Sequence, residues 1–345
     1  MKPFENAFTG LESAVNAGAA PCAAAAVGTG GQVLRQQVWG SACLEPFPVP
    51  ATLRTRFDMA SMTKILSTSM VALRFLEAGL LSLDQTLGDF FPQARGREKI
   101  TIRQLMTHTG GFVPYLNLEQ KAASPQEALQ VIFDSQPVCV PGTEVHYSCM
   151  GYIVLGKILE TLGGKPLNLL AEELVFKPLS MNRTGYCPTG EDFAATERLG
   201  DQWLQGIVHD ENARFLQGVS GNAGVFSDLG DMTRFASMLA LGGSLENTRI
   251  LSPSTLEMAI RCETEGMEQR RGLGFHLASP GSFHGNLASP RCYGHTGFTG
   301  TSLIVEPDSG FWAVLLSNRV HPTRENTAFF SVRRDFHHAL FREFF

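Results

Sequence analysis

The chain has 345 residues, of which 43% are hydrophobic and 18% are charged, and its formal net charge is -5. A chain of this length and composition can bury a sizeable core, which excludes intrinsic disorder. Phosphate backbones are bound by clustered Lys and Arg, so the acidic balance and the lack of a long basic run argue against nucleic acid as a partner.

The N-terminus and the cysteines bear on the cellular location. No apolar stretch of the kind a secretory signal requires follows the first residues, and the apolar run 23–27 is too short to span a membrane. The seven cysteines are odd in number and contain no Cys-x-x-Cys pair, which is typical of free thiols. The sequence therefore predicts a cytoplasmic protein without a membrane span.

The predicted elements start with an amphipathic helix over residues 4–17, where apolar residues recur at helical spacing. A glycine-rich turn then joins two extended runs, 20–28 and 32–39, into a hairpin. A helix is expected at about 61–77. Helical stretches separated by Gly- and Pro-rich loops then occupy about 83–240.

The tail of the chain returns to a strand pattern before a final helix over residues 324–345. The four expected strands are 272–277, 291–295, 301–306 and 310–317. The final helix would carry Phe329, Phe330, Phe336 and Leu340 on its apolar side.

Strands at both ends with helices between them predict an α/β fold of the α+β type. We expect one antiparallel sheet flanked by the N- and C-terminal helices, plus an all-helical subdomain. The sheet subdomain would cover about 1–82 and 240–345 and the helical subdomain about 83–239, together forming a single catalytic domain over 1–345. A site at the seam of the two halves is the natural expectation.

Ser61 and Lys64 form a Ser-x-x-Lys pattern at the start of a predicted helix. The i, i+3 spacing places the hydroxyl and the amine on one helical face. A serine hydroxyl needs a base to become a nucleophile, and a desolvated lysine can act as that base. The pattern also arises by chance, and in isolation it more often marks an N-cap serine followed by a solvated lysine.

Tyr147 lies between a Pro-Gly turn and an apolar helix that is predicted to run to about residue 161. As a phenolate it could share the role of base with Lys64. The alternative interpretation is a half-buried packing tyrosine.

His295 opens a glycine-rich segment directly before the strand expected at 301–306. Glycines allow a backbone to approach a ligand closely, and the N–H groups of Phe298 and Ser61 could form an oxyanion hole. The alternative interpretation is a glycine-rich bulge with a surface histidine.

Three motifs, Ser61-x-x-Lys64, Tyr147-Ser-Cys149 and His295-Thr-Gly297, occur in the order and rough spacing of the signature motifs of the serine β-lactamase and penicillin-binding-protein superfamily. The chain resembles its class C β-lactamase-related branch over about residues 20–320. The framing segments that carry the resemblance are 100–112, 141–143, 176–181 and 221–227.

The resemblance implies a β-lactamase/transpeptidase-like fold and an acyl-enzyme mechanism on Ser61. The catalytic residues would be Ser61, Lys64, Tyr147 and His295. Phe298, Cys149, Thr296, Gly297 and Asn222 would form the oxyanion hole and substrate site. No cofactor or metal is predicted.

Two positions depart from the motifs of the superfamily. The second motif usually ends in Asn, and Cys149 cannot supply the hydrogen bonds of an amide. The third motif usually begins with Lys, whereas His295 is a cation only when it is protonated. Members with this His tend to be esterases or D-amino-acid peptidases, so both departures disfavour efficient β-lactamase activity.

Several other residues have two interpretations each. The loop at 108–109 resembles a structural corner rather than a catalytic element. The cluster at 209–212 fits a hydrogen-bonded loop better than a metal or charge-relay site, because its spacing matches no standard zinc pattern. Asn222 is expected at the rim of the pocket, and Asn318 and Arg319 either reach the cleft or close the edge of the sheet.

The sequence therefore predicts a serine hydrolase acting on small esters, amides or D-amino-acid peptides. Within enzymes, the alternatives are a β-lactamase, a low-molecular-mass penicillin-binding protein with DD-peptidase activity, or an acyltransferase. The alternative of another class is a non-catalytic binding or scaffold protein. The partner would be a small molecule, and the sequence leaves the physiological substrate and the oligomeric state open.

Overall fold

A computed structural model describes residues 3–345 of the chain. The α-helices are α1 (Glu5–Asn16), α2 (Ser69–Glu77), α3 (Leu87–Phe90), α4 (Ile102–Met106), α5 (Leu118–Lys121), α6 (Ala128–Asp134), α7 (Cys149–Gly163), α8 (Leu167–Ala171), α9 (Glu211–Phe215), α10 (Leu229–Ala240), α11 (Pro253–Ala259) and α12 (Phe329–Phe344). The 3-10 turns are Ala60–Met62 and Pro125–Glu127, and the π-helical turns are Lys64–Thr68 and Glu172–Phe176.

The strands are β1 (Cys22–Thr29), β2 (Gln32–Cys43), β3 (Val49–Pro50), β4 (Phe57–Asp58), β5 (Gly185–Tyr186), β6 (Arg198–Leu199), β7 (Gln202–Trp203), β8 (Val225–Ser227), β9 (Ser244–Leu245), β10 (Thr248–Arg249), β11 (His276–Leu277), β12 (Tyr293–Thr296), β13 (Ser302–Glu306) and β14 (Phe311–Ser317).

Seven strands form one antiparallel sheet in the order β11-β12-β13-β14-β1-β2-β3. Strand β1 lies between β2 and β14, so Ala24 faces Val38 on one side and Leu316 on the other. Strands from both ends of the chain therefore build the centre of the sheet. The predicted fold class, an antiparallel sheet flanked by terminal helices with further helices between them, is confirmed.

The central strands are buried on both faces, which explains their continuous apolar sequence. Successive side chains of a strand point to opposite faces. Ala24 and Ala26 of β1 accordingly join the large core that contains α2, α7 and α10, whereas Ala25 and Val27 join a second core beneath α1 and α12. The predicted terminal helices thus cover one face of the sheet, and they pack against each other.

The tail differs from the prediction in two places. The predicted strand 272–277 pairs only over β11, because Gly272 donates its N–H to the Phe275 carbonyl and Gly274 has a left-handed φ of 94°, which together form a turn.

The final helix begins at Phe329 rather than at residue 324. The preceding segment is held in a loop, because Arg319 donates to the carbonyls of Arg324 and Asn326. Phe330 was predicted on the apolar side, but it is 36% exposed and lies beside the cleft described below. Phe341 is buried in the core beneath the helix instead.

The helices in the middle of the chain pack against one another and against the sheet. Helix α7 packs against α4 and against the π-helical turn before α2, and α10 packs directly on β1, β13 and β14. The subdomain boundaries near residues 82–83 and 239–240 stay predictions. Within residues 3–345, no helix is both long and apolar enough to cross a bilayer.

Candidate active site

The segment before Ser61 is fixed by a short strand and a buried carboxylate. Strand β4 pairs with β8, and the Met59 N–H donates to the Val225 carbonyl at 2.9 Å. Ala60 has a left-handed φ of 45°, which is costly for a residue with a side chain. Asp58 Oδ1 accepts the Ala60 N–H at 2.8 Å and holds this turn. Ser61 therefore follows a tight, fixed turn at the start of a helical run.

Lys64 is fully buried next to Ser61. Its Nζ donates to Ser61 Oγ at 3.0 Å and to the Asn222 carbonyl at 3.0 Å, and it lies 3.6 Å from Cys149 Sγ. The same nitrogen lies 4.9 Å from the centre of the Tyr147 ring. Four of the residues singled out in the sequence thus surround one buried amine.

The protons of this buried cluster are coupled. Burial lowers the pKa of Lys64, but the anionic forms of Cys149 and Tyr147 outweigh burial and leave that pKa raised. Burial is the main cause that raises the pKa values of Tyr147 and Cys149, against the opposing effect of the Lys64 cation. At neutral pH the cluster therefore consists of an ammonium, a neutral phenol and a neutral thiol.

Tyr147 is positioned by its neighbour Ser148 and by His108. Ser148 caps α7, since its Oγ accepts the Gly151 N–H at 3.2 Å and donates to the Val113 carbonyl at 2.7 Å. The Ser148 N–H donates to His108 Nδ1 at 3.1 Å, and the rings of His108 and Tyr147 have centroids 4.5 Å apart. His108 has a left-handed φ of 60°, in agreement with the expected structural corner.

His295 lies in β12 and is buried. Its Nδ1 is 2.8 Å from the Thr296 carbonyl oxygen, which can only accept, so Nδ1 carries the hydrogen and Nε2 is an acceptor. Burial, and then the charges of Lys64 and Arg271, lower the pKa of His295 well below 6.5. The imidazole is therefore neutral. Its ring centroid lies 6.0 Å from that of Tyr147.

The chain after β12 passes very close to the turn that carries Ser61. A Cβ atom on Gly297 would lie only 2.6 Å from the Met59 carbonyl oxygen, so only glycine allows this approach. The next residue, Phe298, is fixed by Arg319, whose Nε donates to the Phe298 carbonyl at 2.8 Å. The approach brings the two segments that carry the predicted oxyanion-hole donors side by side.

Asn222 differs in placement from the expectation. It is fully buried, its carbonyl accepts from Lys64, and its Oδ1 accepts from Ser220 at 2.6 Å. The neighbouring Ala223 lies at the cleft instead. Asn318 closes the sheet edge, because its amide donates to the carbonyls of residues 42 and 195.

Two cavities meet at Ser61, Tyr147 and Phe298. The first, which we call the arginine lobe, has a volume of about 420 Å³. The second, which we call the acidic lobe, has a volume of about 230 Å³. The arginine lobe is lined mainly by Gln269, Arg271, His276, His295, Thr296 and Arg333. The acidic lobe is lined mainly by Tyr115, Cys149, His209, Asp210, Glu211 and Arg324.

Sequence analysis did not identify Arg271, His276 or Arg333 as site residues. Arg271 directly precedes a predicted strand, and Arg333 lies in a predicted surface helix, where arginines are ordinary. Only the tertiary structure shows that these arginines are 5% and 8% exposed and face the cleft.

The segment that starts at His209 forms a hydrogen-bonded network. His209 Nε2 lies 2.7 Å from Glu197, and Arg324 pairs with both Glu197 and Glu211. Asp210 caps α9 by accepting the Ala213 N–H at 2.8 Å. Over residues 3–345, no group of three or more ligating side chains is placed to hold a metal ion.

Comparison with known proteins places this geometry in a family. The sequence model of the Beta-lactamase family matches residues 8–334 of the chain. The chain belongs to the β-lactamase family. A protein of Escherichia coli (strain K12) described as a "Putative D-alanyl-D-alanine carboxypeptidase" is 30% identical over 333 residues, which are 84% of this chain and 76% of the relative.

Solved structures show the same fold. EstCE1, described as a hydrolase with promiscuous acyltransferase activity, superposes with a TM-score of 0.78 at 21% identity and covers 97% of this chain and 98% of its own. The octameric penicillin-binding protein homologue from Pyrococcus abyssi gives a TM-score of 0.74 at 20% identity, covering 94% of this chain and 76% of its own. With the family match and the 30% identical relative, the chain is a serine hydrolase of the β-lactamase fold.

Proposed function

We propose that this serine hydrolase forms an acyl-enzyme on Ser61 and acts on small esters, amides or D-amino-acid peptides. The observation that carries the proposal is the 3.0 Å hydrogen bond between Lys64 Nζ and Ser61 Oγ, at a cleft that Tyr147 and His295 also line. A nucleophile, a buried cation and a phenol within reach of one another are the groups that acyl transfer requires.

Acylation begins when Ser61 Oγ attacks the carbonyl carbon of the substrate. The reactive state has one proton fewer than the cluster at neutral pH: Tyr147 loses its proton to solvent, while Lys64, whose pKa is raised, stays an ammonium and stabilises the phenolate, which takes the Ser61 proton. The N–H groups of Ser61 and Phe298 stabilise the oxyanion. Tyr147 then donates the proton to the leaving oxygen or nitrogen as its bond to the carbonyl carbon breaks. The Tyr147 hydroxyl and His295 Nε2 both lack a hydrogen-bond partner among residues 3–345 and their ring centroids lie 6.0 Å apart, so we assign to Nε2 the role of accepting from the phenol during turnover.

Deacylation repeats these steps with water as the nucleophile. The Tyr147 phenolate takes a proton from water, the hydroxide attacks the ester carbonyl, and Ser61 regains its proton as the acid product leaves. An alcohol or amine in place of water would make the protein an acyltransferase. This second candidate is favoured by the fold shared with EstCE1, whose description includes acyltransferase activity.

Two observations bear on peptides and β-lactams as substrates. The 30% identical relative is described as a "Putative D-alanyl-D-alanine carboxypeptidase", which supports D-amino-acid peptides as substrates and DD-peptidase activity as the reaction. Cys149 and the neutral His295 lack the amide and the cation of the usual motifs, which disfavours rapid β-lactam turnover. Fast hydrolysis of nitrocefin would favour a β-lactamase, and a stable penicillin adduct would favour a penicillin-binding protein.

A non-catalytic scaffold is the alternative of another class. The contact between Lys64 and Ser61 argues against it, since an inactive site has no need to keep that pair in hydrogen-bond distance. We also propose a small-molecule partner rather than nucleic acid, and a cytoplasmic location. All seven cysteines are free, which is typical of a reducing compartment.

The decisive experiment labels the enzyme with a serine-directed fluorophosphonate. The wild type should become labelled and Ser61→Ala should not. Intact-mass measurement after incubation with an ester, a D-Ala-D-Ala peptide and a penicillin then identifies which acyl group the enzyme accepts. Labelling of Ser61→Ala at the wild-type rate would refute the assignment of the nucleophile.

A further inference from the structure

The polar wall of the arginine lobe combines hydrogen-bond donors with acceptors. Arg271 offers donors only, and its buried Nε has no hydrogen-bond partner among residues 3–345. Gln269 accepts from Arg271 Nη2 at 2.6 Å through Oε1, and its amide nitrogen carries two further donors. Thr296 adds a hydroxyl group, which can donate and accept. A ligand that satisfies this wall must itself both accept and donate hydrogen bonds.

His276 supplies a further acceptor to the same wall. Burial, and then the charge of Arg271, lower the pKa of His276 to about 2, so the imidazole is neutral. One of its ring nitrogens therefore accepts a hydrogen bond and the other donates one. An anion offers acceptors only and cannot donate to this nitrogen, while a ligand cation is repelled by Arg271. Neutral hydroxyl groups meet both requirements.

Arg271 belongs to a built site rather than to a mobile surface. It is 5% exposed, its N–H donates to Thr264 Oγ1 at 2.8 Å, and its carbonyl accepts the Glu263 N–H at 2.7 Å. Its guanidinium carbon lies 5.5 Å from the centre of the Tyr147 ring. Leaving a buried donor unpaired is costly, so its retention beside the proposed proton donor points to a ligand that accepts from it.

The apolar wall of the lobe consists of the rings of Phe283, Phe298 and Phe330. Phe298 and Phe330 are 45% and 36% exposed, and the Arg319 guanidinium carbon lies 4.5 Å and 4.1 Å from their ring centres. Arg319 therefore fixes both rings at the cleft. The face of a phenyl ring is negatively polarised and attracts the weakly positive C–H groups of a saturated ring. The volume of about 420 Å³ lies within the range of about 300–1,000 Å³ typical of small-molecule sites.

We propose that the arginine lobe binds a cyclic polyol, such as a monosaccharide, that forms the alcohol part of an ester substrate. The inference rests on the proposed function and specifies its substrate class: an acyl ester of a neutral, polyhydroxylated alcohol. Hydroxyl groups of the polyol accept from Arg271 and donate to His276. The C–H groups of its ring lie against Phe298 and Phe330.

The alcohol lies in this lobe because two groups beside Tyr147 line it. His295 and Arg271 lie 6.0 Å and 5.5 Å from the centre of the Tyr147 ring, and Tyr147 returns the proton to the leaving oxygen. Ser61 Oγ bonds to the carbonyl carbon, the bond from that carbon to the polyol oxygen breaks, and Tyr147 protonates this oxygen. The free polyol leaves, and water then releases the acid from Ser61.

Two acetate esters that differ in the hydroxyl groups of the alcohol test the proposal. The wild type is assayed with 6-O-acetyl-D-glucose and with cyclohexylmethyl acetate, which has the same acyl group and a six-membered ring without hydroxyl groups. A hydrogen bond to a charged group is worth about 10- to 100-fold, so kcat/KM should favour the sugar ester by at least about 10-fold. Equal values, or a preference for cyclohexylmethyl acetate, would overturn the proposal.

The variant Arg271→Met should bring that preference close to one, because it keeps an apolar stem and removes the donors. The matched control is Arg261→Met: this arginine is exposed, lines neither lobe and should keep the wild-type preference. Fluorophosphonate labelling of Ser61 checks that each variant is folded. Gln269→Leu, at a partly exposed position, is the second variant and should also lower the preference. Retention of the full preference by both lobe variants would refute the proposal.

Protection of Ser61 from fluorophosphonate labelling tests the same site when neither acetate is turned over. Methyl α-D-glucopyranoside should slow labelling of the wild type at concentrations at least about 10-fold below those required for cyclohexylmethanol or cyclohexanecarboxylate. Stronger protection by the carboxylate would assign the lobe to anions, and equal protection by all three would leave no role for the hydroxyl groups; either result overturns the proposal. Failure of the proposed function is a separate result, because it appears as labelling that persists in Ser61→Ala.

Discussion

A substitution at Gly297 tests whether the close approach of the segment after β12 to the turn that carries Ser61 sets the geometry of catalysis. Its φ is outside the left-handed region, so an alanine is compatible with the backbone conformation and only space opposes it. A Cβ at this position would lie 2.1 Å from Thr301 Oγ1 and 2.6 Å from the Met59 carbonyl oxygen. The substitution Gly297→Ala therefore pushes the Phe298 segment and the Ser61 turn apart.

The size of the effect follows from these distances. Moving the Met59 oxygen from 2.6 Å to an ordinary contact of 3.4 Å requires a relative shift of 0.8 Å, which is 3.4 minus 2.6. Misplacement of reacting groups by about 1 Å costs about 100-fold in rate. We therefore expect Gly297→Ala to lower kcat/KM by about 100-fold, while overpacking lowers the free energy of unfolding by about 1–3 kcal/mol.

The assay combines hydrolysis of a neutral ester with urea unfolding of the same samples. The matched control is Gly185→Ala in β5, because a Cβ there would meet nothing within 4 Å. The control should keep nearly all activity and stability. If Gly297→Ala retained more than half of the wild-type kcat/KM with unchanged unfolding, the steric reasoning about the oxyanion hole would be wrong.

Three further predictions concern charge and positioning. Burial is the main cause that raises the pKa of Tyr147, and the Cys149 thiolate adds to it, so in Cys149→Ala the rise of kcat/KM with pH should move to lower pH, and a shift to higher pH would contradict the proposed base. Burial raises the pKa of Glu197, but hydrogen bonds from its His and Arg partners lower it from 4.5 to about 2. The wild type should therefore lose stability as the pH falls from 4.5 towards 2, and in Glu197→Gln urea midpoints should lose less over that range. Arg319→Lys removes the hydrogen bond from Arg319 Nε to the Phe298 carbonyl, so kcat should fall about 10-fold with little change in KM. An unchanged kcat would show that the Phe298 backbone does not depend on this hydrogen bond.

The architecture was predictable because its signals are periodic. The apolar run that became β1 and the helical spacing that became α1 each reflect one local rule, and both elements were found within a few residues of their predicted bounds. The start of α12 was not predictable, because it depends on hydrogen bonds that Arg319 makes to a loop several residues further along. Such contacts leave no periodic trace in the sequence.

The candidate site likewise contains residues that the sequence could predict and residues that only the structure reveals. Ser61, Lys64, Tyr147 and His295 belong to motifs with fixed spacing, and the structure places them around one cleft. Arg271 belongs to no such motif, and an arginine before a strand is commonly solvated. Arg271 is buried in the fold beside Tyr147, which is remote in sequence, so the charge of the arginine lobe could be recognised only in three dimensions.

The neutral His295 and the buried Arg271 are best understood together. Burial, and then the charges of Lys64 and Arg271, lower the pKa of His295, so two cations already lie near this position. A lysine there, as in the usual motif, would add a third buried positive charge with no carboxylate nearby to compensate it. A neutral imidazole avoids that cost, and its Nε2, which has no hydrogen-bond partner among residues 3–345, stays available as an acceptor. Arg271, which lines the same lobe 5.5 Å from the centre of the Tyr147 ring, thus supplies a buried cation in place of a lysine at this strand.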